Sequence, residues 1–466
     1  MAYRFLSTAD ARTIPIIPIE TAVFAAWLKK QPAAIKRWVE SAGFTAQAGE
    51  VSLVAGKDGA LSSVLLGVED HQGLWAYAAL PESLPEGRYR IDAVLEKEGA
   101  TNAAIGWALG CYRFERYKSK KKTAKWPGLV WPRNCDKGAV RRTVDAIGLV
   151  RDLINTPAED MGPAELATAA RRLARTHKAK ARVIVGDALL KQNYPTIHAV
   201  GRASVNAPRL IDLTWGRRDA PKVTLVGKGV CFDTGGLDLK AASGMLRMKK
   251  DMGGAAHVLG LGHMIMDAGL DVRLRVMIGA VENSVAGNAY RPADVIKTRK
   301  GITVEVGNTD AEGRLVMCDA LAEADDENPA LMADFATLTG AARVAVGTEL
   351  SALFCNDDTL ANDLSRAGEK VGDPVWRLPL WRPYRRLLDS KVADINNVSE
   401  GGMGGAITAA LYLEEFVSRS TPWAHFDIMG WNTGPRPGRP VGGEAMGMRA
   451  LYGAIEQRFG KKRGRK

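Results

Sequence analysis

The chain has 466 residues, more than one ordinary hydrophobic core organises, so two domains are expected. Hydrophobic residues make up 46% and charged residues 25%, which excludes a disordered chain, and no stretch approaches the ~20 apolar residues of a membrane-spanning helix. A net charge of +12 attracts acidic ligands at long range without specifying one.

The N-terminal stretch "MAYRFLSTADARTIPIIPIE" is apolar only in patches. Acids and prolines interrupt it, and the layout of a signal peptide is missing. A cytoplasmic location is expected. Strands follow at "VSLVAG", "SSVLLGVE" and "YRIDAVL". Helices are expected at "TAVFAAWLKKQ" and over the whole of "TNAAIGWALGCYRFERYK". The basic run "YKSKKKTAKW" (117–126) leads into a proline-broken linker. The helix "AVRRTVDAIGLVRDLIN" then stops before Thr156-Pro157. These signals divide the chain into an N-terminal α/β domain (1–120), a basic linker with a connecting helix (121–155) and a larger domain (156–466).

The larger domain alternates strands with helices. Strands are expected in "KARVIVGDALL", "PRLIDLTW", "KVTLVGKG", "RLRVMIGAVEN", "ITVEVGN", "LMADFATLTGA" and "WAHFDIMGW". One clear helix among them is "GGAAHVLGLGHMIMDAG". The fold class is therefore α/β: a mixed, mostly parallel sheet sandwiched by helices, preceded by a smaller α/β domain. Functional groups in such sheets collect where strands end.

Cysteines Cys111, Cys135, Cys231, Cys318 and Cys355 are odd in number and form no CxxC, which argues against a disulfide framework or a thiolate zinc site. "GKGVCF" fails both the dinucleotide and the P-loop patterns. The basic run and the tail "KKRGRK" (461–466) leave nucleic-acid binding open, although such runs are commonly solvated.

Acids gather after three apolar strands. In "VTLVGKGVCFDTGGLDLK", Lys228 is followed by Asp233 and Lys240. In "MKKDMGGAAHVLG", Asp251 precedes a helix start. In "NTDAEGRL" (308–315), Asp310, Glu312 and Arg314 stand at every second position. An extended chain would point these three the same way. Alternatively, Asp310 caps the next helix and Glu312 is its first-turn acid. Clustered carboxylates need compensating cations, because like charges raise one another's pKa and buried charge is costly. Metal ions, Arg314, Lys228 and Lys240 are the available cations. A two-metal phosphoesterase also uses such clusters, but no histidine stands among these clustered acids, which argues against it.

Together these segments resemble the leucyl aminopeptidase family of two-metal exopeptidases. The octet NTDAEGRL stands unchanged. "VGKGVCFDTGGLDLK", "MKKDMGGAA", "ENSVAGNAYRPADVI", "ATLTGA", "VADINN" and "GGAITAALYLEEFV" are similar to the family's blocks. The resemblance implies a catalytic metallopeptidase domain at 156–466. It implies that Asp233, Asp310 and Glu312 ligate one metal ion, with the Asp310 carbonyl. Lys228, Asp233, Asp251 and Glu312 would ligate a second. Lys240 and Arg314 would be catalytic, Arg314 holding bicarbonate as proton shuttle. Met248, Thr337 and Gly340 would line the pocket for the first side chain. Zn²⁺ is the expected ion, with Mn²⁺ or Mg²⁺ suited to one carboxylate-rich site. The implied reaction is hydrolysis of the N-terminal peptide bond of peptides by a metal-bridging hydroxide, with broad specificity favouring leucine and other apolar residues. The implied assembly is a homohexamer. Ala241 and His257 depart from the family pattern, and only local packing changes are expected there.

Overall fold

The computed structural model describes residues 3–119 and 125–460. The nucleic-acid reading rests on the run Lys118 to Lys125 and the tail 461–466; residues 120–124 of that run and the tail lie outside the described residues. The chain forms two compact units: Met1–Gly148 with Gly434–Val441, and Leu149–Thr433 with Gly442–Lys466.

The first unit is built on six strands: β1 (Phe5–Leu6), β2 (Thr13–Glu20), β3 (Val51–Ala55), β4 (Leu61–Val68), β5 (Arg88–Ile91) and β6 (Gly128–Val130). Their order is β1-β6-β5-β2-β4-β3, parallel except for β3 against β4. The patch "TIPIIPIE" is thus an interior strand despite Pro15 and Pro18. Proline lacks the N–H a ladder needs. Here Thr13–Ile16 pairs only with β5 and Ile16–Glu20 only with β4. The prolines have opposite parity, so their nitrogens face opposite edges, and each half strand has one partner. Alternation sends Ile16, Leu66, Tyr89 and Leu129 to a core shared with Trp107. Ile19, Val54 and Leu65 pack on the other face with Val39 and Phe44. The helix expected to reach residue 118 spans only Lys97–Gly110. Beyond it, Arg113 leaves the helical path and lays its guanidinium 3.7 Å from the Trp126 ring centroid.

The second unit centres on an eight-stranded mixed sheet. It contains β7 (Lys180–Val185), β8 (Arg209–Trp215), β9 (Lys222–Asp233) and β10 (Arg273–Asn283), with strands Leu331–Ala336, Ser351–Cys355, Val375–Arg377 and Trp423–Asp427. The stretch β10, β9, Leu331–Ala336 and Trp423–Asp427 runs parallel, and antiparallel strands flank it. Strand "ITVEVGN" shortens to Thr303–Glu305 and joins a separate three-stranded sheet. Strands Ser351–Cys355 and Val375–Arg377 were not anticipated.

Helices cover both faces of β9. Gly227 abuts Ala255 and Val258 of the helix Gly253–Ala268, so closely that a methyl group would meet them within 3 Å. Val226 and Val230, of opposite parity, pack with Leu315, Val316 and Cys318 of the helix Glu312–Asp326. The two helices therefore squeeze the central strand, and its C-terminal end opens between their N-termini.

Candidate active site

Lys228 and Asp233 are five residues apart on β9, so a regular strand would point them to opposite faces. The pairing with β10 slips at this place. Val230 faces Val281, whereas Phe232 faces Glu282 and Asp233 faces Asn283, leaving Cys231 as an extra residue. Such a bulge reverses the alternation beyond it and re-aims side chains. Asp233 then accepts hydrogen bonds from Asn283 Nδ2 at 2.9 Å and Gly235 N at 2.8 Å.

The octet also departs from the extended reading. Glu312 opens the helix Glu312–Asp326 as its first-turn acid, and Arg314 follows within the same turn. Asp310 lies in the turn before it and is not the cap, a position taken by Ala311. Asn308 Oδ1 accepts from the Asp310 amide at 2.7 Å, while Asn397 Oδ1 accepts from Gly307 N at 2.8 Å and Asn397 donates to Asn308 O at 2.7 Å. These side chains hold a turn that no helix cap stabilises. The helix shields Glu312 and brings it to Lys228. Gly313 makes this approach feasible: a Cβ there would lie 2.6 Å from Lys228 Cε and 2.7 Å from its Nζ.

The charges form two nests. Lys228 Nζ lies 2.8 Å from Asp251 Oδ2 and 2.7 Å from Glu312 Oε1. Lys240 Nζ lies 2.8 Å from Asp233 Oδ2 and contacts Asp310 Oδ1. Thr337 donates to Asp251 Oδ1 at 2.6 Å, and its carbonyl accepts from Lys228 at 3.3 Å. Oxygens of Asp233, Asp310 and Glu312 lie within 4.8 Å of one another. Burial raises the Glu312 carboxyl well above its usual range, and neighbouring Asp233 adds to it. Burial and Asp251 likewise raise Asp233. Burial alone would lower the Lys228 ammonium, but Asp251, Glu312 and Asp233 outweigh it and hold the proton on. Asp251 Oδ2, Asp310 Oδ1 and Glu312 Oε1 are buried with no directed hydrogen bond, so their compensation is charge contact alone. A donor set of convergent hard oxygens with a lysine amine suits divalent cations.

A cavity of about 600 Å³ opens onto these groups. Lys228, Asp233, Lys240, Met248, Asp251, Asp310, Arg314, Thr337 and Gly340 line it. Glu312 joins from behind through Lys228. Arg314 is buried and donates from Nη1 to Asn397 O, while its Nε has no partner. Asp427 fixes the loop beside the cavity, accepting from Leu338 N at 3.0 Å and from Thr339 Oγ1 at 2.6 Å. Sequence reasoning missed the positioning residues Asn283, Asn397 and Asp427, and the lining cations Lys250 and Arg343. Lys250 is 2% exposed, and burial pushes its ammonium down to about 8.

Parallel strands sandwiched by helices, with acids and lysines at their carboxyl ends, define the catalytic half of a two-domain α/β peptidase. A family model described as the cytosol aminopeptidase family, catalytic domain, matches residues 148–452. A second, the M17 aminopeptidase N-terminal domain, matches residues 14–132. The chain belongs to the cytosol aminopeptidase family and is a metal-dependent aminopeptidase, a hydrolase of peptide bonds. It is 42% identical over 390 residues to a probable cytosol aminopeptidase of Roseiflexus castenholzii, covering 78% of each chain. It is 46% identical over 307 residues to one of Xanthomonas axonopodis pv. citri, covering 64% of this chain and 62% of that one. The crystal structure of a cytosol aminopeptidase from Coxiella burnetii superposes with a TM-score of 0.93 at 49% identity, covering 98% of this chain and 99% of that one. The bottromycin maturation enzyme BotP in complex with Mn has a TM-score of 0.86 at 34% identity, covering 96% and 99%.

Proposed function

We propose that the chain releases N-terminal residues from peptides, using two divalent ions held at the carboxylate cluster. The observation carrying this reading is the convergence of Asp233, Asp310 and Glu312 within 4.8 Å. Buried acids this close cannot all ionise without cations. Asp233, Asp310 and Glu312, with the Asp310 carbonyl, would hold one ion. Lys228, Asp233, Asp251 and Glu312 would hold the other. Lys228 would join only as the neutral amine, by giving up the proton its carboxylate neighbours favour. Zn²⁺ is the first candidate, and Mn²⁺ or Mg²⁺ suits the more oxygen-rich position. When bound, such ions supply Lewis acidity and a water acidic enough to react at neutral pH.

The chain's own groups divide the remaining work. Lys240 lines the cavity beside Asp233 and Asp310, where its ammonium would stabilise charge developing on the scissile carbonyl oxygen. Arg314 offers an unpaired buried Nε, and its planar fork suits a small anion such as bicarbonate, which would carry a proton from water to the leaving amine. Met248, Thr337 and Gly340 would border the first side chain, with leucine and other apolar residues favoured. A cytoplasmic location belongs to the same reading, supported by the relatives' naming as cytosol aminopeptidases; homohexameric assembly belongs to it as what the family resemblance implies.

The test uses metal-stripped protein with leucine p-nitroanilide and its N-acetylated form. Zn²⁺ or Mn²⁺ should restore hydrolysis of the free-amine substrate only. Full activity without metal, or equal hydrolysis of the acetylated form, would overturn the reading.

A further inference from the structure

Two cations in the cavity wall are left over once the carboxylates are paired. Lys250 sits one residue before Asp251, is 2% exposed and lines the cavity. Its ammonium has no hydrogen bond or ion pair among the described residues. The carboxylates whose charge it feels are committed elsewhere. Asp251 is taken by Lys228 and Thr337, and Asp427 by the Leu338 and Thr339 amides and the Thr339 hydroxyl. Arg343 lines the same cavity, close enough for its charge to act on the Lys250 ammonium. Its Nη2 lies 3.4 Å from where a Cβ on Gly340 would stand, and its guanidinium also has no ion pair among the described residues. A buried cation is costly without a counter-charge. A lining that keeps two unpaired cations is complementary to an anion brought in by the ligand.

We propose that Lys250 and Arg343 are specificity-determining residues that admit peptides whose N-terminal residue is acidic, glutamate or aspartate. The inference rests on the peptidase site reading above. Lys240, Asp310 and Arg314 line the same cavity as Lys250, Thr337, Gly340 and Arg343. A substrate amine seated at the acids leaves its first side chain one bond from the Cα, within the same cavity. A carboxylate on that side chain then meets Lys250 and Arg343. An apolar first residue can still lie along the lysine's methylenes, so acidic substrates add to the range instead of replacing it.

The discriminating pair is glutamyl and glutaminyl p-nitroanilide, which differ in one charge and carry no terminal carboxylate. Leucyl p-nitroanilide is the reference. Metal-loaded wild-type protein should favour Glu over Gln in kcat/KM by roughly tenfold or more, the scale of one charged hydrogen bond. Lys250→Met should bring that ratio to one or below, and Arg343→Gln should move it part of the way. The ratio is taken within one preparation, so an incompletely folded variant does not distort it. A wild-type ratio near one, or a ratio unmoved by both substitutions, would overturn the inference while leaving the leucyl activity and the site reading intact. Failure of the wild type on all three substrates would overturn the site reading and this inference with it.

Discussion

Gly313→Ala tests how tightly the helix Glu312–Asp326 is fitted to Lys228. The new methyl would lie 2.6 Å from Cε, 2.7 Å from Nζ and 2.8 Å from Cδ of that side chain. These separations fall about 1 Å short of carbon contact distance. The lysine end is normally the cheap thing to move, but here Asp251 and Glu312 pin it within 2.8 Å in a site 3% exposed. Overpacking costs about 1–3 kcal/mol, and replacing glycine by alanine in a helix returns up to about 1 kcal/mol. Net destabilisation should therefore stay below about 2 kcal/mol. Displacement by about 1 Å at a reacting centre is worth about 100-fold in rate. The variant should keep a nearly wild-type melting curve and lose about 100-fold in kcat/KM for leucine p-nitroanilide. Activity within threefold of wild type would refute the close-fit reasoning, and so would a collapse of stability with the residual folded fraction fully active.

His257 gives a pH signature. Its Nδ1 donates to Gly253 O at 2.6 Å and its Nε2 accepts from Met446 N at 2.9 Å, so both nitrogens are used in the neutral form. Burial lowers its pKa to about 4. The unfolded chain takes up the proton near 6.5 and the folded one only near 4, so stability is full above pH 6.5 and falls as pH drops towards 4. Chemical denaturation should show that His257→Gln flattens the loss between pH 7 and 4.5 by about 2–3 kcal/mol; parallel wild-type and variant profiles would contradict this. Arg314→Ala should reduce turnover about 100-fold, the scale of one lost charge-stabilising donor, while metal content per subunit stays unchanged. Loss of the metals in elemental analysis would instead assign Arg314 a structural role.

The sheet-and-helix alternation was legible because apolar runs of strand and helix length alternate, and "RLRVMIGAVEN" matches β10 residue for residue. The candidate site residues stood out because their motifs are local. Their common orientation was not. The face that Asp233 presents depends on the Cys231 bulge, which exists only against β10 and leaves no mark within β9. The extended reading of the octet failed because the helix after it begins at Glu312, three residues before its apolar run starts at Leu315. Asn397 and Asp427 act from 80 or more residues away through backbone amides, a role that any nearby asparagine or aspartate could fill. His257 read as a packing change, but it bridges the helix Gly253–Ala268 to Met446. Lys250 escaped notice because a lysine beside a lysine reads as solvated charge, and only burial singles it out.

The two half-partnered ends of β2 have a mechanical consequence. The first unit's sheet is a pair of ladders that share only Ile16 of β2. β5 and β4 are therefore tied to each other largely through the covalent chain of β2, each gripping a different half of it. Side chains reinforce that tie, chiefly Ile16, Leu66, Tyr89 and Trp107, each at most 1% exposed. Parting β5 from β4 has to unzip one whole ladder and wet the centre of that core.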